Sequence, residues 1–274
     1  LLNNMLGELL GSIYVKEYFS EEAKNDVISM IKEIISTYES RIENLSWMSE
    51  ASKKQAVKKL ETMTIKVGYP DKWEDYSSIQ IKTYQNGGSL YSNVKNIGDF
   101  EREKALKDLN QKVDKSRWSM TPQTINAYYN PTANEIVFPA AILQAPFYDY
   151  EASKAKNYGG IGAVIGHEIT HAFDDEGSKF DEMGNLKDWW TREDRKNYEK
   201  RTEALAKQYS RYKSGDGKLN GKLTLGENIA DLGGVSVALE IVNNENSDNL
   251  EEFFEAYAVI WRNLVTKERE SYLV

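Results

Sequence analysis

Two histidines occur in the 274 residues, and both lie in one short stretch, Gly166-His167-Glu168-Ile169-Thr170-His171. On a helix, residues four apart share a face, so the spacing predicts two imidazoles side by side. Such a pair can hold one Zn²⁺ at about 2.0–2.1 Å. Glu168 starts beside the first of them and can reach a water held by the metal. Zinc lowers the pKa of its water to about 7, and a carboxylate then takes the proton as general base. The surrounding residues suit a helix: Ile161, Val164, Ile165 and Ile169 are apolar, Asp174-Asp175-Glu176 are polar, and Gly177 is expected to close it as a C-cap. The plainer explanation, an ordinary helix that happens to carry both histidines, is weakened by how scarce His is in this chain.

A catalytic zinc of this kind takes three protein ligands and leaves one position open. With no cysteine and no further histidine, the third ligand must be Asp or Glu. Most acids after His171 read as solvated surface. One set differs: Leu225-Gly226-Glu227-Asn228-Ile229-Ala230-Asp231-Leu232-Gly233-Gly234. Glu227 and Asp231 share a helical face within a stretch of small and apolar residues. Two carboxylates facing a core are costly unless they find a cation or donors. A metal ligand, plus an acceptor for the N–H of a ligand histidine, would satisfy both. A helix N-terminus, where acids favour the macrodipole, would also account for Glu227, and less well for Asp231.

Further motifs precede and surround these two: Asn126-Ala127-Tyr128-Tyr129-Asn130-Pro131, Asn134-Glu135-Ile136-Val137-Phe138-Pro139-Ala140, and Asn157-Tyr158-Gly159-Gly160-Ile161-Gly162. With Gly166 to Asp175 and Gly226 to Gly234, they resemble the catalytic half of the neprilysin and endothelin-converting-enzyme family. That family includes bacterial oligopeptidases of the oligopeptidase O type. Weaker likeness reaches back through Gly68-Tyr69-Pro70 to Leu45-Ser46-Trp47-Met48. Animal cell-surface members are disulfide-rich, so a chain without Cys is more similar to the bacterial branch.

The resemblance implies a thermolysin-like zincin, α+β but predominantly α-helical, with a small sheet and an edge strand at the active site. Residues 1–115 would form a helical scaffold portion and 116–274 the catalytic portion. One Zn²⁺ per chain would be held by His167, His171 and Glu227. Glu168 would be the general base and Asp231 would orient His167, with Asp174 supporting the site less directly. Asn126 and Ala127 match residues that bind substrate main chain. Phe147, Val164 and Trp261 match residues lining the pocket for the side chain just after the scissile bond; taken alone, each reads as simple core. The implied activity is hydrolysis of oligopeptides on the amino side of hydrophobic residues. A zinc-binding domain used in binding or assembly would keep the ligands without the catalysis. Family members also carry an Asp-x-His-x-Pro segment and an Arg beyond the point where this chain stops, and a large N-terminal part that closes over the site. The chain opens Leu1-Leu2 and reads as a piece of a longer protein, expected to bind zinc yet cleave slowly or undetectably.

The remaining sequence sets limits and scaffold. Net charge is −8, the pI is near 5.1, and no Lys/Arg cluster stands out, which argues against nucleic acid as a partner. No signal peptide and no apolar run of membrane-spanning length is present, and the compartment stays open. Length suits one large or two small domains. Residues 1–64 read as helices, with Ser20 and Ser49 as N-caps and Lys53, Lys54, Lys58 and Lys59 as a solvated face. Ile125–Tyr129 and Glu135–Phe138, joined by Asn130-Pro131-Thr132-Ala133-Asn134, read as a hairpin, whose edge could pair with an extended peptide. Gly159, Gly160, Gly162 and Gly166 are poor helix formers and suggest close backbone approach around the metal. Residues 178–224 read as a surface insertion: Asp188-Trp189-Trp190 opens a charged helix and Ser214-Gly215-Asp216-Gly217 breaks it. Leu250–Val274 reads as helical, with Phe253, Phe254, Tyr257, Ile260, Trp261 and Leu264 buried.

Overall fold

The computed structural model describes residues 2–214, 217–245 and 249–269. Helices α1 (Leu2–Met5), α2 (Gly7–Tyr18), α3 (Glu21–Glu43) and α4 (Glu50–Glu61) come first, followed by strand β1 (Thr64–Gly68) and helix α5 (Leu90–Asp108). Strands β2 (Tyr128–Asn130) and β3 (Glu135–Pro139) precede helices α6 (Lys154–Asn157) and α7 (Ala163–Thr170). The rest comprises α8 (Arg192–Tyr209), a small hairpin β4–β5 (Lys213–Ser214, Gly217–Lys218), α9 (Leu225–Glu245) and α10 (Leu250–Ile260). No helix among the described residues is long and apolar enough to cross a membrane.

The expected caps at Ser20 and Ser49 are present: Ser20 Oγ accepts from the Ala23 N–H, and Ser49 Oγ accepts from the Ser52 N–H. Helix α3 buries Val27, Ile31 and Ile34 completely. That stripe joins Ile136 and Phe138 of β3, Ile161, Ile165 and Ile169 around α7, and Val237 and Ala238 of α9 in one core. The main sheet has the order β1-β3-β2. Strand β1 runs parallel to β3, with Thr64 opposite Glu135, and β2 runs antiparallel to it, with Tyr128 opposite Val137. β2 is therefore an edge strand, as the hairpin pattern suggests.

Several expectations need correction. β2 begins at Tyr128 rather than Ile125, so Asn126 and Ala127 lie just ahead of the strand. The register would set Asn126 opposite Pro139, which has no N–H to give a ladder. The metal-motif helix ends at Thr170, not near Gly177, which instead begins a 3₁₀ turn. The reason is Asp174, whose Oδ1 accepts from the N–H groups of Glu176 and Gly177 and folds the chain back. Trp189 and Trp190 precede α8, which starts at Arg192 with Thr191 as its cap. Helix α10 stops at Ile260. Phe253 and Ile260 are buried, but Phe254, Trp261 and Leu264 are exposed, because the buried stripe runs Phe253-Ala256-Ile260 and the helix ends before the next turn. The helix expected over 270–274 and the break expected at Gly215-Asp216 lie outside the described residues. Lys59 is 1% exposed and belongs to no solvated face; its partners are carbonyls of the loop after α7.

Asp194 joins the N-termini of α4 and α8. Its carboxylate accepts from the Ser49 N–H and from the hydroxyls of Ser49, Ser52 and Thr191. Burial works against the charge, yet these donors prevail and hold its pKa down to about 2, against 3.8 ordinarily. A depressed carboxylate adds stability above its unfolded pKa and loses it as pH falls through the folded value. Asp194→Asn should therefore lower Tm at pH 7, and the gap to the unaltered chain should close between about pH 4 and pH 2. A gap that stays constant across that range in thermal melts would exclude this role for the charge.

Candidate active site

α6, a wide π-type turn at Tyr158–Gly162 and α7 form one continuous helical run. Its glycines are places of contact. A Cβ on Gly159 would sit 2.1 Å from the Phe253 carbonyl oxygen of α10, and one on Gly160 would sit 2.3 Å from that of Phe147. The close approaches there are thus to α10 and to the segment before α6. Nearer the motif, α9 crosses α7 through Gly166 and Gly234: a Cβ on Gly234 would lie 2.4 Å from the Ala163 carbonyl oxygen and 2.5 Å from the His167 nitrogen. Gly234→Ala should thus force the two helices apart, costing about 1–3 kcal/mol as overpacking does. Both Tm and zinc affinity are expected to fall, the latter because α9 carries Glu227 and Asp231. Melts and a zinc titration that match the unaltered chain would show the crossing to be looser than this.

The crossing brings the motif's parts together. His167 Nε2 and His171 Nε2 are 3.0 Å apart. Glu227 Oε2 lies 3.3 Å from the first and 3.9 Å from the second. Each imidazole is held from behind: His167 Nδ1 donates to Asp231 Oδ1 at 2.7 Å and His171 Nδ1 to Asp174 Oδ2 at 2.6 Å. With both Nδ1 atoms protonated for these bonds, the two Nε2 atoms and a carboxylate oxygen are crowded within 3.9 Å of one another. That arrangement is repulsive unless a proton or a metal ion stands among them. Tetrahedral zinc with ligands at about 2.0–2.1 Å sets ligand atoms about 3.3–3.4 Å apart, close to the spacing found. The residues fit a zinc ion, and the three are the described group able to hold a metal.

The electrostatics agree. Burial works to lower the His167 pKa, but bonds to Asp231 and Glu227 carry it up to about 10. His171 is raised likewise, its burial outweighed by Asp174 and Glu168. Carboxylates that bind a proton this firmly favour any cation at the same place. The Glu227 carboxyl is pulled below its ordinary range by His167, against the effect of burial. Glu227 does lie in the first turn of α9, so its helix-terminal position and its approach to the histidines coincide.

Glu168 is 7% exposed. Burial pushes its carboxyl upward, opposed by both histidines and by the Tyr129 N–H of β2. Two hollows meet at this residue. One, of about 570 Å³, is lined by Asn126, Ala127, Tyr129, His167, Glu168, His171, Asp174 and Glu227. The other, of about 580 Å³, shares Asn126, His167, Glu168 and Glu227 and adds Phe147, Val164 and Trp261. Every site residue expected from the sequence therefore lines this cleft or hydrogen-bonds a residue that does. Sequence reasoning missed Tyr129, Ile142, Pro146, Val235 and Tyr257, which line the same hollows. Tyr129, within the motif that carries Asn126 and Ala127, and Tyr257, one helical turn before Trp261, had usable signals.

Comparison with known proteins decides the family. The model of peptidase family M13 matches residues 126–273, and its N-terminal counterpart matches residues 1–70. This chain belongs to peptidase family M13. The M13 chain is 45% identical over 262 residues to a neutral endopeptidase of Lactobacillus helveticus, covering 95% of this chain and 40% of that protein. It is 39% identical over 281 residues to human endothelin-converting enzyme 1, covering 97% of this chain and 36% of that one. Among solved structures it resembles the Mycobacterium tuberculosis zinc metalloprotease Zmp1 in complex with inhibitor, with TM-score 0.86 and 43% identity, over 95% of this chain and 41% of that one. It also resembles PepO from Lactobacillus rhamnosis, with TM-score 0.87 and 37% identity, over 93% and 40%. The M13 chain thus spans about two fifths of the length of the bacterial curated relatives. The mostly helical fold with one small three-stranded sheet is that of these M13 metalloproteases.

Proposed function

We propose that this chain carries the catalytic site of a zinc-dependent endopeptidase that hydrolyses oligopeptides before hydrophobic residues. The observation that carries the proposal is the convergence of His167 Nε2, His171 Nε2 and Glu227 Oε2, with each imidazole fixed by its own carboxylate. His167, His171 and Glu227 would hold the ion, which when bound supplies a Lewis acid and acidifies water. Asp231 and Asp174 accept hydrogen bonds from the Nδ1–H groups and keep both imidazoles turned towards the ion. Glu168 takes a proton from the attacking water on its carboxylate and passes it to the leaving nitrogen. Its burial favours this, because a carboxyl pushed upward is a better base near neutral pH.

Asn126 and Ala127 lie where the sheet edge stops pairing, next to the catalytic carboxylate. They would bind the main chain of an extended peptide, whose backbone hydrogen bonds hold it whatever its sequence. Phe147, Val164 and Trp261, with Tyr257 and Ile142, form an apolar hollow on one side of Glu168. It would take the side chain that follows the cleaved bond.

The experiment is peptide cleavage by the protein stripped with a chelator and then restored with zinc, together with elemental analysis. One zinc per chain is expected, with cleavage that is slow in this piece, is full in the longer protein that contains it, and returns with the metal, at bonds preceding Leu or Phe rather than Gly. One zinc without cleavage even in the longer protein would favour a zinc-binding module, and no zinc would end the reading altogether.

A further inference from the structure

The last turn of α4 carries a side chain whose place in the fold is unusual. Lys59 is buried, and its Nζ donates to three backbone carbonyls: Ala172 at 2.8 Å, Gly177 at 2.7 Å and Phe180 at 2.8 Å. An ammonium has three protons, so all are used. Burying such a group is costly; here burial takes the pKa down to about 7 although Asp174 and Asp181 oppose it. An apolar residue would fill the space more cheaply.

The three acceptors belong to one loop, and that loop serves the histidines. Ala172 follows His171 directly. The Gly177 N–H donates to Asp174 Oδ1 at 2.6 Å, and the other oxygen of Asp174 accepts from His171 Nδ1. The loop is held so closely that a Cβ on Gly177 would lie 1.8 Å from the His171 carbonyl oxygen. The main-chain oxygen of Lys59 accepts from Asn134 Nδ2 at 2.9 Å, in the turn between β2 and β3. One residue of the helical scaffold therefore grips both the loop that carries Asp174 and the hairpin facing it across the cleft.

We propose that Lys59 is a positioning residue of the metal site: it fixes the 172–180 loop so that Asp174 holds the His171 imidazole in its ligating orientation. This rests on the zinc reading above. Without the three bonds, the loop can relax, Asp174 shifts, and His171 turns more freely.

The test measures zinc affinity by chelator competition and the visible spectrum of the cobalt(II)-loaded protein, rather than turnover. Lys59→Met keeps the aliphatic stem and removes the donors. It should weaken zinc about 10–100-fold, the range for groups that hold a metal ligand by a hydrogen bond, and Asp174→Ala should do the same. Because both act through one imidazole, adding Lys59→Met to Asp174→Ala should weaken zinc little further. The cobalt bands should shift alike in the two single variants. Unchanged zinc affinity with a lowered Tm would make Lys59 a residue of the fold alone and overturn the proposal, as would effects that simply multiply. Lys59→Gln, which retains part of the hydrogen bonding, repeats the measurement if the Met variant does not fold. Failure of both to fold overturns it too. An unaltered chain that binds no zinc sinks the zinc reading itself, an outcome distinct from normal zinc binding by both variants.

Discussion

Glu168→Gln is expected to leave zinc bound while peptide hydrolysis in the intact protein falls by about 10²–10⁴-fold or more, the usual contribution of a positioned general base. The amide has the size of the carboxylate but cannot accept a proton. Glu168 is also not among the three converging ligand groups, so its loss should spare the metal. The residue is buried beside both histidines and within reach of the Tyr129 N–H. Gln can keep the last of these contacts, which makes it a cleaner probe than Ala. Zinc content by elemental analysis and turnover of a peptide are the two readouts. Loss of zinc, or turnover near that of the unaltered protein, would remove Glu168 from the role of base.

Glu227→Ala should weaken zinc far more than Asp231→Ala does. Glu227 contributes one of the three converging ligand atoms, and losing it leaves two imidazoles. Asp231 is not among the converging ligand groups and hydrogen-bonds His167 Nδ1 from behind. Its removal should therefore cost about 10–100-fold in affinity or activity, as is typical of groups behind a ligand. Chelator competition on both variants gives the comparison. Small and equal effects would mean that the two acids merely favour the N-terminal end of α9. That idea fits the position of Glu227 in the first turn but not the 2.7 Å bond from His167 to Asp231.

Much of the site was legible because its chemistry is written in helical spacing. His167 and His171 are one turn apart, as are Glu227 and Asp231, and a period of four on a helix needs no tertiary information to interpret. With two histidines and no cysteine, the choice of a third ligand was already narrow. The hairpin could be read from β-prone runs around Asn130-Pro131, although its start could not, since that depends on which residue of β3 stands opposite. Lys59 was misread because a lysine on a lysine-rich helix looks solvated. Nothing local reports that a loop 113 residues away brings three carbonyls to it. The expected burial of Trp261 fails for a similar reason: apolar spacing continues past Ile260, whereas the helix does not.

What the sequence determined by itself was therefore the types of candidate ligand, the helices that carry them, and the pairing of each acid with a face. Such features depend on contacts within a turn or two of chain. The tertiary structure decided where those faces meet. Glu227 comes within 3.3 Å of His167 because Gly166 and Gly234 let α7 and α9 touch backbone to backbone. Asp174 reaches His171 because the chain folds back on its own N–H groups and is tied to α4. These are long-range packing choices, and no residue pattern near the histidines could have stated them.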